Sequence, residues 1–388
     1  MAERRYDLDW LRVMLMLLVF IFHCSRFFGG GPWLLKNAEE SIVALVYVSL
    51  IDMWVMPCFF LLSGIGSWYA LAHFTNGQYI QERIKRILIP LYTVGFFILL
   101  PTQFYFEIYS NAGFTGTFWE SIPLYLAREG HFHLGSPSGV LMLEFITHLW
   151  FLGYLFLISL MALPLMRYLR SEHGLRFTDK LAGWCSRPGA IFIFIIPVLV
   201  IRIGLRSFFL GQFTWADFLE YMAYFIIGYL FMADSRFIQS AKKNGWFGLI
   251  LGLACWGCQG IFVLGFGYHY PDGEPFSWMY VLFEAMMSIS RWSWIIFVLS
   301  LGAKYLNFNH RSLTYSNEAV LPFYLLHQPI ILGVGWFVIQ LHIGMGLKFL
   351  IITLISFVLI MAVYDLFVRR FNVVRFFFGM RPIKKSPA

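Results

Sequence analysis

Apolar stretches of about twenty residues or more recur from one end of this chain to the other, separated by short connections rich in charge, glycine and proline. A helix needs about 20 mainly apolar residues to cross the ~30 Å hydrocarbon core of a bilayer. Backbone in lipid must satisfy its own hydrogen bonds, so such stretches are read as spanning helices. Candidates lie at residues 10–28, 42–73, 87–109, 141–166, 189–205, 215–233, 246–268, 277–301, 319–341 and 346–368. Composition closes off the alternative of a water-soluble domain. The chain is 59% hydrophobic and 13% charged, where soluble domains carry about 25% charge. The expectation is an all-α, polytopic protein of about ten transmembrane helices, one integral-membrane domain over residues 1–388, in the cell (cytoplasmic) membrane.

The second stretch is too long for one straight span. Pro57 marks the expected kink or break, with an interfacial helix before it as one arrangement. Arg4 and Arg5 precede the first stretch as in a secretory signal, but the run continues to Phe28 without a small-residue cleavage site, which predicts a retained helix.

A net charge of +8 could point to nucleic acid. Its placement points elsewhere. Arg83, Lys85 and Arg86, the cluster from Arg167 to Arg187, then Arg236, Lys242, Lys243, Lys304, Arg311 and the basic run from Arg369 to Lys385 all fall on one side of the alternating spans. Short loops rich in lysine and arginine stay cytoplasmic. The helix count is then even, with residues 1–9 and the tail 369–388 both cytoplasmic, and no nucleic-acid partner is implied. Five cysteines at irregular spacing give no disulfide framework, and the "CWGC" of Cys255–Cys258 lies inside a spanning run, where cysteine behaves as a small hydrophobe. His131 and His133 lie in the longest outward loop, 110–140, without a nearby Cys or carboxylate cluster, so that loop is read as solvated and no metal is expected.

Ionisable groups inside a span are costly and by default functional. Arg12 and His23 share the first stretch. Eleven residues at ~100° each bring them to nearly one face, about 16 Å apart along the axis. Each has a plainer explanation: Arg12 can snorkel or pair with Asp9 one turn earlier, and His23 can bond to a neighbouring helix. Together on one face they suit acid/base work by the imidazole. Arg83 and Arg86, spaced i, i+3 in "ERIKRILIP", can converge on a phosphate or merely obey the positive-inside rule. His148 and His327 lie in apolar runs and either line the cavity or bond across helices. Asp52, Glu144, Glu284, Arg291 and Asp365 are expected to pair with one another, Ser63 with Gly64 to permit a close helix crossing, and Cys24 to point about 100° away from His23.

The Arg-x10-His pattern of Arg12 and His23, "FFLLSG" at residues 59–64, Arg83-x-x-Arg86 before "ILIP", "HLWFL" at 148–152 and "LPFYLLHQP" at 321–329 together resemble the integral-membrane acyltransferase 3 family along almost the whole chain. The stretches "YDLDWLRVMLMLL" and "LTYSNEAVLPFYLLHQPI" look most like its glucan-succinylating branch. The resemblance implies transfer of an acetyl or succinyl group from cytoplasmic acyl-CoA, as co-substrate, to a hydroxyl of a glycan or related acceptor on the outer side. It implies His23 as the catalytic histidine, acting as general base or as covalent acyl carrier, Arg12 as its partner, and Arg83 and Arg86 as the pair that meets the CoA phosphates; His148, His327 and Ser63 are expected near the substrate cavity. The extra-membrane esterase-like domain of some family members is not expected here. The rival reading is a transporter or flippase for a lipid or glycan whose path Arg12 and His23 line.

Overall fold

Asp7 and Asp9 in the first turn suit the dipole of the first helix, α1 (Tyr6–Ser25). Its interior holds no glycine or proline. The structure, a computed structural model, describes residues 5–209, 211–267 and 276–383, and every regular element among them is helical. In chain order α1 is followed by α2 (Ile42–His73), α3 (Asn76–Asn111), α4 (Phe118–Arg128), α5 (Thr147–Met161), α6 (Leu163–Leu169), α7 (Glu172–Cys185), α8 (Ala190–Leu205), α9 (Trp215–Ala233), α10 (Ser235–Phe266), α11 (Trp278–Tyr305), α12 (Arg311–Val338), α13 (Met345–Val368) and α14 (Asn372–Phe377).

Eight of these helices are long and apolar enough to cross a membrane, or nine if α5 and α6, bent by 54°, make one span. The expected candidate at 141–166 is this bent pair, with its first residues outside the helix. The candidate at 189–205 is the shorter apolar helix α8. Pro57 does not break α2, which runs continuously for 32 residues. The third candidate starts earlier than its apolar run, because Thr75 and Gln78 form a capping box at the start of α3. The stretch 110–140, expected as a solvated outward loop, carries α4, started by a second capping box from Thr117 and Glu120. Residue 268, the expected end of the seventh candidate, lies outside the described residues, as do Arg4, Lys384 and Lys385.

The core around the site is built by close crossings. A Cβ added at Gly64 would lie 1.9 Å from the Phe225 carbonyl oxygen, and one at Gly228 would lie 1.9 Å from that of Leu61. Backbones of α2 and α9 therefore touch, the small-residue packing that lipid-embedded helices use. α1 sits at the centre, packed on α2, α11, α12 and α13. Its buried leucines, Leu8, Leu11 and Leu15, face this core, so Arg12 and His23 have protein rather than lipid around them.

The expected pairing of intramembrane charges takes a specific form. Arg202 on α8 contacts Glu220 on α9 at 2.7 Å and Glu284 on α11 at 2.5 Å, and Arg291 on α11 also contacts Glu220. A buried pair costs several kcal/mol in desolvation, recovered only when each charge is held by good geometry. This network ties three helices together beside the site. Glu144 instead pairs with His133 at 2.7 Å, and Asp365 accepts from Tyr315.

Candidate active site

Histidines from three separate parts of the sequence meet in the bundle. His23 comes from the last turn of α1, His148 from the start of α5 and His327 from the middle of α12. The His23 and His327 rings are 4.8 Å apart and those of His148 and His327 5.1 Å, both edge to face. The sequence around each places it. In "LLHQP", Pro329 has no N–H to give the Leu325 carbonyl, four residues back, and that freed oxygen lies 3.3 Å from His148 Nε2. Tyr324 hydroxyl donates to the His148 carbonyl, and His148 Nδ1 lies 3.1 Å from Oε1 of the buried Gln103 on α3. Thr147 also donates to that oxygen, at 2.6 Å, from a backbone at φ 33°.

Two carbonyls decide which nitrogen of each facing ring carries hydrogen. A carbonyl oxygen only accepts, so His23 Nδ1–H donates to Val19 O at 2.9 Å and His327 Nδ1–H to Tyr324 O at 2.6 Å. His327 Nε2 is then bare and accepts from His23 Nδ1–H at 3.2 Å. The remaining nitrogen, His23 Nε2, keeps its lone pair and has no hydrogen-bond partner among the described residues. His23 is thus held as a base through its far side, the arrangement that general-base chemistry requires.

Among the described residues three cavities lie near these side chains, called inner, central and outer after the orientation expected from the basic connections. The inner one, about 500 Å³, is lined by Arg12, Ser63, Tyr79, Arg83, Arg86 and Arg381 among others. Arg12 pairs with Asp9 at 2.9 Å, as the spacing suggested, and passes over Gly66, where an added Cβ would lie 3.5 Å from its Nη2. Arg83 stacks on Tyr79 with its guanidinium 4.7 Å from the ring centre and donates to Ser67, while Arg86 pairs with Glu82. A narrow central cavity of about 130 Å³ shares Arg12 and Ser63 with the inner one and is otherwise almost wholly apolar. Its far end is lined by Val19 and Tyr324, the residues whose carbonyls orient His23 and His327. An outer cavity of about 360 Å³ begins at His23 and His148. The histidine layer is therefore the partition between the central and outer spaces.

The outer cavity has chemistry of its own. Trp33 and Trp150 offer ring faces, Gln212 and Gln328 offer amides, and Arg26, Asp52 and Glu107 offer charge. Arg26 lies over the Trp33 ring at 4.9 Å. Asp52, inside α2, makes no hydrogen bond or ion pair among the described residues and is open to this space.

Of the residues singled out from the sequence, Arg12, Ser63, Arg83 and Arg86 share one cavity, and His23, His148 and His327 form one cluster. His327 is fully buried behind His23 and is not on the outer cavity's wall. Cys24 is buried in the packing of α1. Among the described residues no group of three or more His, Cys, Asp or Glu side chains has the arrangement of a metal site. Arg26, Gln103 and Arg381 carried no distinct sequence reading. For Arg26 a signal existed, since i, i+3 from His23 places it on the same face; Gln103 meets Thr147 and His148, and Arg381 lines a cavity with Arg12, Arg83 and Arg86, across long stretches of sequence that nothing local marks.

Residues 5–368 match the family described as an acyltransferase domain, Acyl_transf_3. The Glucans biosynthesis protein C of Escherichia coli (strain SMS-3-5 / SECEC) is 26% identical over 400 residues, covering 99% of this chain and 96% of that protein. The Glucans biosynthesis protein C of the Escherichia coli APEC strain is 25% identical over 398 residues, with the same coverage. No solved structure matches the chain.

Proposed function

The chain belongs to the acyltransferase 3 family of membrane proteins, and from that premise we propose that it carries an acyl group from cytoplasmic acyl-CoA to a hydroxyl of a glycan on the other side of the bilayer. The observation that carries this reading is the succession of basic, apolar and polar cavities with His23 at the last junction. Guanidiniums at Arg83 and Arg86 suit the phosphates of the donor, which they meet with charge-assisted hydrogen bonds. The narrow apolar cavity suits the uncharged arm that carries the thioester. Arg12, between the two, is within reach of the arm's polar atoms.

Stacking rings, amides and carboxylates in the outer cavity are the groups that bind sugars. An acceptor hydroxyl there gives its proton to His23 Nε2 as its oxygen attacks the thioester carbonyl. The C–S bond breaks, and the proton passes from His23 to the leaving thiolate. The imidazolium formed in between is stabilised through Nδ1–H by Val19 O and His327 Nε2. A glucan acceptor and a succinyl donor are favoured by likeness to the Glucans biosynthesis protein C chains.

A transporter reading fits less well, because the histidine layer divides the path that a transported solute would need. The deciding experiment incubates purified protein with labelled acyl-CoA and oligoglucoside acceptor. Acylated sugar that disappears with His23→Ala is expected. Solute flux in proteoliposomes, without thioester cleavage, would overturn the assignment.

A further inference from the structure

The segment after α13 is held in place more firmly than a tail serving only membrane orientation requires. Arg375 on α14 is buried, bonds Glu318 of α12 at 2.5 Å, and donates to the carbonyls of Arg381 at 2.7 Å and Arg369 at 3.2 Å. Met380 N–H donates to Arg375 O, and Ile383 N–H to Asn372 Oδ1, so residues 372–383 close on themselves. Gly379 then lets this clasp seat against α3. Its φ of 67° is one that favours glycine, and an added Cβ would stand 2.6 Å from the Arg86 carbonyl oxygen and 2.9 Å from Pro90. The outcome is a fixed position for Arg381, on the wall of the inner cavity with Arg12, Arg83 and Arg86.

Among the described residues, Arg381 is the cation of this group whose side chain has no hydrogen-bond or ion-pair partner. Arg12 has Asp9, Arg86 has Glu82, and Arg83 has Ser67 and the Tyr79 face. The Arg381 side chain makes no hydrogen bond or ion pair among the described residues and lies near enough to Arg86 for the two to repel. Holding a free guanidinium against a like charge is unfavourable unless an anion comes between them. Arg381 is also exposed at the cavity's edge, whereas Arg12 lies at its deep end, shared with the central cavity.

We propose that the folded C-terminal segment is part of the donor site, and that Arg381 binds the donor's outermost phosphate, the ribose 3′-phosphate of CoA. The assignment rests on the acyl-CoA reading above. The order of depth supports it: the thioester end enters first, the diphosphate meets Arg83 and Arg86, and the 3′-phosphate stays at the rim.

The test measures binding of CoA and 3′-dephospho-CoA to the purified full-length protein. Wild type is expected to bind CoA roughly tenfold more tightly than the dephospho form, the size expected for one charge-assisted contact. Arg381→Ala should lose that tenfold for CoA and leave dephospho-CoA unchanged, with a melting temperature near that of wild type because its side chain makes no hydrogen bond or ion pair among the described residues. Arg381→Lys should restore part of the difference. Arg370→Ala, which removes an equal charge from the same tail outside the cavity, should bind CoA as wild type does. Equal weakening of both ligands by Arg381→Ala, or of CoA by both alanine variants, would overturn the 3′-phosphate assignment, and so would unchanged binding. Wild type that binds neither ligand would overturn the acyl-CoA reading itself.

Discussion

At the scale of the residue, the site turns on one hydrogen atom. Val19 O fixes hydrogen on His23 Nδ1, and His327 Nε2 receives part of that bond. His327 is therefore a positioning residue: it holds the base and shares its charge without reaching the outer cavity. Glutamine at 327 can accept from His23 Nδ1–H with its side-chain oxygen, whereas alanine cannot. His327→Ala is expected to lower kcat about ten- to a hundredfold with little change in acceptor KM, and to shift the acid limb of the pH–rate profile downward, since the His23 imidazolium loses an acceptor. His327→Gln should recover most of the rate. Equal losses in both variants with an unmoved pH profile would mean that position 327 serves packing alone. For Arg12, the pairing with Asp9 explains how the charge is tolerated, and its place between two cavities explains why a charge is useful there. The Arg-x10-His spacing was legible because helical geometry is local. The His23–His327 contact was not, because 304 residues separate the pair.

At the scale of the element, α1 is a ruler that sets Arg12 and His23 about 16 Å apart on one face. One alanine inserted between Met14 and Leu15 rotates Arg12 by ~100° relative to His23. Transfer should fall by at least a hundredfold while the purified variant remains folded, measured by donor turnover alongside a melting curve. Normal turnover in a stable insertion variant would show that the shared face has no role. The outer segment after α4 offers a second test, of pH. Glu129 is buried, its Oε1 accepts from the Phe145 N–H, and Oε2 has no partner. Burial pushes its carboxyl up to about 7, with the backbone N–H bonds opposing. The folded segment thus holds a proton more tightly than the unfolded chain does. Its contribution to stability is full below the ordinary carboxylate range near 4.5, declines as pH rises above that, and is lost above about 7. Hydrogen exchange at the Phe145 amide should speed up across that window in wild type and lose the dependence in Glu129→Gln. An exchange rate free of pH dependence, after correction for intrinsic chemistry, would refute the coupling. This segment read as a solvated loop in the sequence because capping boxes and one buried carboxylate carry no hydropathy signal.

At the scale of the whole molecule, the charge pattern predicts one side for the N-terminus, the basic connections and the clasp that holds Arg381. Reporter fusions at Ala388 and within 110–117 should therefore fall on opposite sides of the membrane. Both on one side would remove the basis for a cross-membrane transfer. What the sequence determined by itself was whatever depends on local periodicity or on composition. Spans follow from the length of apolar runs, and the Arg12–His23 and Arg83–Arg86 pairs from the pitch of a helix, while the count of basic residues in each connection sets the expected orientation. Pro57 shows the limit, since a proline permits a break but the packing of neighbouring helices decides whether one occurs, and α2 continues through it. Tertiary structure alone decided the rest. A span reads the same whether a face meets lipid or another helix, so nothing in "HLWFL" or "LLHQP" indicates that His148 and His327 converge on His23, or that Pro329 leaves a carbonyl for His148. Nor does a basic tail announce that a buried arginine and one glycine will fold it against α3. Those are contacts between residues far apart in the chain, fixed by which backbones can approach closely, and they turn a row of apolar segments into three cavities, two meeting at Arg12 and Ser63 and the third set off by a layer of histidines.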